Sequence, residues 1–421
     1  MTDRSSRTSL VAQGHKSHEW AKSRMRILER ITTDLATSKA LPLEGIRLGV
    51  CLHITKETSV LIMALKELGA EIALCSANPL SIQNDIASFL KDQGIQIFAT
   101  RGESSKQYHD SMLKVIRFKP ELVTDDGAEL HLMAHQYWEN SIVAGTEETT
   151  SGVTRLKELE YGKQLKYPII AVNNAQTKYL FDNRYGTGQS TVDGLLRTTS
   201  VFLPGKHVVV CGFGWVGKGV ASRLRGMGAI VTVTEIHPIR ALEAYMEGYE
   251  VRTLASACRY GDIFVTCTGG YRIIRKEHIN RMKDGVFLCN AGHFDFEIDI
   301  DYMKSQDQKP LEIRPNVQRY MVKDKFVYLL ASGRVINLVG AEGHPPEVMA
   351  LSFANQLMSI IYLAKKKGSL ESRVHNVPMH IDRKISEYAL DYFGIDVERS
   401  NYKSFYLCHE AFTKDKFKIP T

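Results

Sequence analysis

The run CGFGWVGKG at 211–219 follows the apolar stretch KHVVV and spaces three glycines as Gly212-x-Gly214-x-x-Gly217. Three glycines at this spacing suit a dinucleotide. The first makes a tight turn, the second lets a pyrophosphate approach the backbone, and the third lets helix and strand pack closely. A helix opening near Trp215 would aim its free amides at the phosphates. Glu235 closes the next apolar run, AIVTVTE, 23 residues after Gly212. A carboxylate at that point binds ribose hydroxyls and repels a 2′-phosphate. Arg240, close by, is a cation that could hold such a phosphate, but Glu235 weighs more heavily, so NAD rather than NADP is the expected cofactor.

Five polar stretches carry the other groups able to do chemistry: HITKET (53–58), TDDGAEL (124–130), GTEETTSG (145–152), TKYLFDN (177–183) and NAGHFDFE (290–297). Each follows a strand-like run, and ligands of doubly wound sheets gather at the carboxyl ends of strands. Taken singly, each has an ordinary structural reading. His53 reads as a strand-end histidine, Asp125-Asp126-Gly127 as a turn, and Lys178 with Asp182 as a surface ion pair. Together they suggest a cleft with several acid/base stations. His131 and His135 read as structural, and the methionines as core.

These groups must be positioned by an alternation of strands and helices. IRLGVCLHI, AEIALCSA, ELVTDDG and PIIAVNN read as strands, SVLIMALKELG and IQNDIASFLKDQG as helices, and 17–40 as an amphipathic helix. The alternation restarts at GKHVVVCGFG and runs through AIVTVTEI, DIFVTCTG and GVFLCNAG. Near-continuous apolar strands of this kind define the fold class: α/β, with two doubly wound domains. One is a Rossmann NAD-binding domain at 186–345. The other is a larger, discontinuous substrate-binding domain formed by 1–185 with a return at 346–385. A divergent tail occupies 386–421.

The chain has 421 residues, 44% of them hydrophobic and 24% charged, with a net charge of +7 and no basic block. That composition suits a globular protein with more than one core and argues against nucleic acid as a partner. Seven cysteines are scattered without a CxxC pair. Buried thiols are therefore expected, with no disulfide framework and no bound metal. No apolar signal core opens the chain and no run reaches the ~20 apolar residues of a membrane span, so a cytoplasmic protein without membrane contact is expected.

From about residue 15 to 360 the chain resembles the S-adenosylhomocysteine hydrolase family, in its archaeal-type branch. The motifs that carry the resemblance are HITKETSVLI, ANPLSIQ, DDGAEL, EETTSGV, TKYLFDNRYGTGQS, GFGWVGKG, TEIHPIRALEA, NAGHFDFEID, GRVINL and GHPPEVM. The resemblance implies a tightly bound NAD+ that takes and returns one hydride in each turnover. It also implies a small-molecule nucleoside substrate and a homo-oligomer, tetramer or dimer. Lys178, Asp182 and Glu148 would meet the ribose hydroxyls, with Lys178 lowered in pKa to take a proton. His53, Asp126 and His293 would surround C4′ and C5′, and Thr55, Glu57 and His344 would meet the purine. Thr149, Thr150, Ser151, Asn183, Val216, Ala291, Gly292 and Asn337 would join the glycine loop and Glu235 in holding NAD.

Departures from the family pattern cluster at the homocysteine side, at Ile82, Asn84 and Glu129, and Asn174 replaces an acidic residue. Thr187 stands where a cysteine is usual, Glu342 where many members have methionine near the purine, and 396–421 matches nothing. Adenine and hypoxanthine both stay open. The same departures admit a nucleoside C5′-dehydratase, of the kind nucleoside-antibiotic biosynthesis uses. A non-catalytic NAD-binding homologue is a third possibility, opposed by the intact set of acid/base residues.

Overall fold

The computed structural model describes residues 2–37, 41–137 and 140–398, with side chains from residue 8 onward. The segment expected as one helix at 17–40 forms parts of two, Thr2–Arg24 and Arg26–Ala36, and 38–40 lie outside the described residues. Met25 breaks them in a non-helical conformation and is itself fully buried. The bend turns Ile27, Leu28 and Ile31 of the second helix onto the core, and burial of that stripe outweighs one interrupted turn.

Six strands lead up to the π-helical turn Asp182–Gly186. They are β1 (Arg47–Leu52), β2 (Glu71–Ser76), β3 (Gln96–Ile97), β4 (Leu122–Asp125), β5 (Ala144–Glu147) and β6 (Ile169–Ala171). Beyond it come β7 (His207–Cys211), β8 (Ile230–Thr234), β9 (Glu250–Val251), β10 (Ile263–Thr266), β11 (Val286–Asn290), β12 (Leu311–Arg314), β13 (Val317–Val322), β14 (Lys325–Leu330) and β15 (Val374–Asn376). The first sheet is parallel throughout, in the order β15-β6-β5-β4-β1-β2-β3. The second runs β12-β13-β14-β11-β10-β7-β8-β9, with an antiparallel edge at β12–β14. The central strands are buried on both faces, which is why they read as unbroken apolar runs.

Strand order reverses between β1 and β4 in one sheet and between β7 and β10 in the other. Such a reversal leaves a crevice beyond the strand ends, because successive helices leave to opposite sides. His53 and Asp126 follow β1 and β4, and Gly212 and Thr268 lie just beyond β7 and β10.

After the second sheet the chain returns to the first. Ala350, Phe353, Leu357 and Ile361 of helix Pro346–Lys365 share a core with Leu48 and Val50 of β1, and β15 pairs with β6. This helix is, among the described residues, the one long and apolar enough to cross a membrane, yet 67% of its apolar window is buried inside the fold. Helices Thr187–Thr199 and Trp215–Gly226 touch backbone to backbone at Gly188 and Gly219, where an added Cβ would strike main chain.

Candidate active site

A cleft of about 1690 Å³ takes its walls from both sheets. Every residue expected to meet the substrate or the cofactor lines it except Gly217. Gly217 lies behind the loop, where an added Cβ would run into the Gly212 carbonyl, so its part is helix–strand packing. Gly212 has φ of +102°, a left-handed turn open to glycine. A Cβ on Gly214 meets only Arg240 Nη1, at 3.9 Å. The loop is therefore bare on the side that faces the cleft.

Glu235 stands one residue past β8. Its Oε2 accepts from Phe213 N at 2.7 Å, and its Oε1 from Ile236 N at 2.8 Å and His237 N at 2.9 Å. Burial raises its pKa, but those backbone donors and Arg240 outweigh it and hold the carboxylate below its usual range. A carboxylate offers about four lone-pair sites, so one remains for a ribose hydroxyl. Asn337 lines the same cleft. Its Nδ2 donates to Ser190 Oγ at 3.2 Å, and its buried Oδ1 has no partner. An orphaned acceptor, a bare glycine loop at a helix N-terminus and a fixed anionic Glu235 fit a dinucleotide. Ala291 and Gly292 follow β11 along the same wall.

Lys178 occupies the middle of the cleft. Its Nζ lies 3.3 Å from Asp182 Oδ2 and 3.4 Å from Glu148 Oε1, and donates to Asn183 Oδ1 at 2.7 Å. All three charged side chains are at most 5% exposed, which rules out a surface pair. Burial lowers the Lys178 pKa, but Asp182, Glu148 and Asp126 together raise it further. The surrounding carboxylates thus favour the protonated amine. Asp182 is pushed up by burial and pulled well below the carboxylate range by Lys178 and His344. Glu148, desolvated and with Asp182 nearby, rises to about 7.

Helix Pro346–Lys365 completes this cluster. Ser352 Oγ lies 2.6 Å from Glu148 Oε1 and 2.7 Å from Asp182 Oδ2, and Gln356 Nε2 donates to Glu148 Oε2 at 2.6 Å. One hydroxyl hydrogen cannot serve two carboxylates. Ser352 therefore links the two carboxylates and donates to one of them at a time. Sequence reasoning missed Ser352 and Gln356. Their signal was a polar set, Ser352, Asn355, Gln356 and Ser359, inside an otherwise apolar helix, all fully buried.

His344 was expected at the purine with Thr55 and Glu57. It lines the same cleft as those two, with its Nδ1 2.8 Å from Asp182 Oδ1 and its Nε2 3.1 Å from Thr187 Oγ1. Thr55 caps helix Lys56–Glu67 by accepting from Thr58 N. Glu57 is 2% exposed, its Oε1 has no hydrogen bond, and burial raises its pKa. Lys56 Nζ bridges Glu57 Oε1 at 3.3 Å and Glu342 Oε2 at 2.9 Å.

The other end of the cleft holds Asp126 between two imidazoles. His53 Nε2 lies 3.6 Å from Oδ2 and His293 Nδ1 3.9 Å from Oδ1. His53 Nδ1 is fixed by Ser81 Oγ at 2.7 Å. Desolvation takes both histidines down to about 4, so they are neutral bases at pH 7. Burial raises Asp126.

Behind the cleft stand two more carboxylates, Asp125, read from the sequence as part of a turn, and Glu147, assigned no role there. Asp125 accepts from Asp126 N and His131 N, both at 2.8 Å. Glu147 accepts from Gly127 N at 2.8 Å, Ala128 N at 3.0 Å and Thr149 N at 2.9 Å. In each acidic pair, the first residue braces two loops and the second faces the cleft, because side chains alternate along a strand end. Thr150 Oγ1 donates to Asn173 Oδ1 at 3.1 Å and Asn183 Nδ2 to the same oxygen at 3.0 Å, while Thr149 and Ser151 hydroxyls lie 3.3 Å apart. His131 and His135 are buried and hydrogen-bonded away from the cleft. Of the departures at the homocysteine side, Ile82 is 1% exposed in the core and Asn84 opens a helix outside the lining; Glu129 alone lines the cleft.

A dinucleotide loop facing a cluster of buried acid/base groups across one cleft defines an α/β enzyme that works with a bound nicotinamide cofactor. The comparisons narrow this. Residues 6–145 match the family described as S-adenosyl-L-homocysteine hydrolase, and residues 183–343 match its NAD binding domain. The adenosylhomocysteinase of Sulfolobus acidocaldarius is 51% identical over 392 residues, 93% of this chain and 94% of that one. That of Archaeoglobus fulgidus is 46% identical over 390 residues, 92% and 96% of the two chains. The S-inosyl-L-homocysteine hydrolase of Methanocaldococcus jannaschii is 44% identical over 393 residues, 93% and 94% of the two chains. The chain belongs to the S-adenosyl-L-homocysteine hydrolase family, and its cofactor is NAD+.

Proposed function

We propose that the protein reversibly hydrolyses S-adenosylhomocysteine to adenosine and homocysteine, keeping one NAD+ bound throughout. The observation that carries this reading is the division of the cleft. A lysine lies between two buried carboxylates at one end, and a carboxylate lies between two neutral imidazoles at the other. NAD+ supplies the hydride acceptor at C3′ and later returns the hydride.

The chain's own groups handle the protons. Glu148 and Asp182 anchor the ribose hydroxyls. Hydroxyls that donate to these carboxylates weaken the charges holding Lys178 protonated, which frees the amine to accept the 3′-hydroxyl proton. Oxidation at C3′ acidifies the C4′ proton. Asp126, whose buried Oδ1 has no hydrogen-bond partner, stands ready for it, with His53 and His293 passing protons to the leaving thiolate and from the incoming water. Glu57 and Thr55 take the purine edge. Glu235, Asn337, Asn183 and the glycine loop hold the cofactor, with Thr149, Thr150 and Ser151.

The proposal extends to domain limits: a substrate-binding unit of 1–185 plus 346–385, and an NAD-binding unit of 186–345. It includes a homo-oligomer, supported by the outward apolar stripe Ile236, Ile239, Leu242, Tyr245 and Met246, and a cytoplasmic location, supported by six described cysteines that are all free thiols. The deciding experiment incubates the NAD-loaded protein with S-adenosylhomocysteine, S-inosylhomocysteine and adenosine, and identifies products by mass. Release of homocysteine from the adenosyl substrate supports the reading, and preference for the inosyl substrate moves the base to hypoxanthine. Loss of water from adenosine with no homocysteine released overturns it.

A further inference from the structure

Helix Pro346–Lys365 packs on the first core with apolar residues, yet Ser352, Asn355, Gln356 and Ser359 are buried in it as well. At 3.6 residues per turn these four lie within about 100° of one another, on one side of the helix. Burying polar groups costs free energy unless each finds a partner. Here the pairing is incomplete, for Asn355 Oδ1, Gln356 Oε1 and Ser359 Oγ have none. Apolar residues would pack this face at less cost, so the polar row needs another reason.

Three members of the row point to one place. Ser352 Oγ reaches Glu148 Oε1 and Asp182 Oδ2, and Gln356 Nε2 donates to Glu148 Oε2. Asn355 Nδ2 donates at 2.8 Å to Oγ1 of Thr177, the residue before Lys178. Thr177 is gripped from its other side by Asp382 of helix Met379–Phe393, which accepts from its backbone N at 2.9 Å and from its hydroxyl. Each group of the lysine–carboxylate cluster therefore has its own fixture on this one helix face. Among the described residues the Glu148 carboxylate takes hydrogen bonds from Ser352 and Gln356 alone. Asp182 Oδ1 is held by His344 and Oδ2 by Ser352. A carboxylate has about four lone-pair sites, so each keeps room for a ribose hydroxyl, in a direction set by the oxygens the helix engages.

We infer that Ser352, Asn355 and Gln356 are positioning residues for oxidation of the ribose. This rests on the reading given under Proposed function. Gln356 sets the aim of Glu148. Ser352 fixes the gap between Glu148 and Asp182, which suits two neighbouring hydroxyls, and Asn355 steadies the turn that carries Lys178. None of the three lines the cleft, so they act through the groups that do.

The test follows reduction of bound NAD+ in a single turnover of the NAD-loaded protein, with adenosine and with 2′-deoxyadenosine. Gln356→Met and Ser352→Ala should each slow the reaction with adenosine about 10- to 100-fold, as loss of a hydrogen bond to a charged group implies. In both, the preference for adenosine over 2′-deoxyadenosine should shrink about tenfold, because the grip on two hydroxyls is lost. Asn355→Leu should slow both nucleosides alike and leave that preference unchanged. Entry of deuterium at C4′ from heavy water, per reduced cofactor, should stay within about twofold of wild type in all three, since the Asp126 end is untouched. A merely structural role would not separate these readouts. Ser352→Ala removes one oxygen atom, so the test does not depend on the larger changes folding. A Ser352→Ala protein with wild-type rate and wild-type sugar preference overturns the proposal, as does one that loses C4′ exchange in proportion to oxidation. A wild-type protein whose bound NAD+ stays oxidised with adenosine overturns the parent reading and this proposal together, an outcome read before any variant.

Discussion

The Lys178 ammonium lies 3.3 Å from the Asp182 carboxylate, four residues further along the chain, and both are buried. Lys178→Met removes the cation from between two carboxylates. The expected result is a loss of adenosine-driven reduction of bound NAD+ by about 10²- to 10⁴-fold, the range for a positioned base. Unfolding should become about 3–5 kcal/mol easier, since two buried carboxylates lose their partner. Transient nicotinamide absorbance and urea melts measure the two effects.

The two cleft histidines set an acid limit. Each is lowered from 6.5 to about 4 by burial, so the folded state resists protonating them. Their contribution to stability is present above pH 6.5 and lost as pH falls towards 4, on the order of 3 kcal/mol each. Glu148, raised to about 7, acts oppositely: its contribution is present below about pH 4.5 and lost as pH rises through 7. Unfolding free energy should therefore decline from pH 6.5 to 4 by less than the histidines alone dictate. His293→Gln should flatten that decline and Glu148→Gln should steepen it.

The glycine loop separates folding from binding. Gly217→Ala puts a methyl into the Gly212 carbonyl and should destabilise the protein by about 1–3 kcal/mol, as overpacking does. Gly214→Ala meets only the tip of Arg240 and should leave the melting of the NAD-free protein nearly unchanged. Its NAD affinity should nevertheless fall at least about tenfold, because the methyl occupies the side a pyrophosphate must approach. Equal effects of the two substitutions on both measurements would contradict this division.

The acidic pairs make a sharper contrast. Asp125→Asn leaves an amide facing Asp126 N or His131 N and should cost about 1–3 kcal/mol in stability. Asp126→Asn should keep NAD+ reduction by adenosine while losing homocysteine release, since only the second step needs that carboxylate. Product analysis and single-turnover absorbance read the difference.

Much of this site is legible in the sequence because strands end where chemistry begins. The polar stretches at 53–58, 124–130 and 145–152 follow apolar runs, and each turns into the cleft. Two things were not legible. Asp125 and Glu147 look identical to their neighbours, and only the alternation of side chains decides which member braces. Ser352 and Gln356 reach Glu148 across 204 and 208 residues of chain, a separation that no local pattern encodes. The charge state of Lys178 also escapes a local reading, since it depends on three carboxylates from separate elements. The contacts of His344 escape a local reading for a related reason: its partners, Asp182 and Thr187, lie over 150 residues away.

The return of the chain to its first sheet has a consequence for how the protein is made. β15 and helix Pro346–Lys365 complete a core that begins at Ala21, so that core cannot close until synthesis has passed the whole second sheet. On the ribosome the cofactor-binding half can finish while the earlier half waits with the outer edge of β6 unpaired and Glu148 uncovered. A chain halted before Ser352 would carry the dinucleotide loop without an assembled lysine–carboxylate cluster. Emergence of helix Pro346–Lys365 and β15 thus acts as a licensing step, and chemistry on the nucleoside starts only after that segment has joined the first sheet.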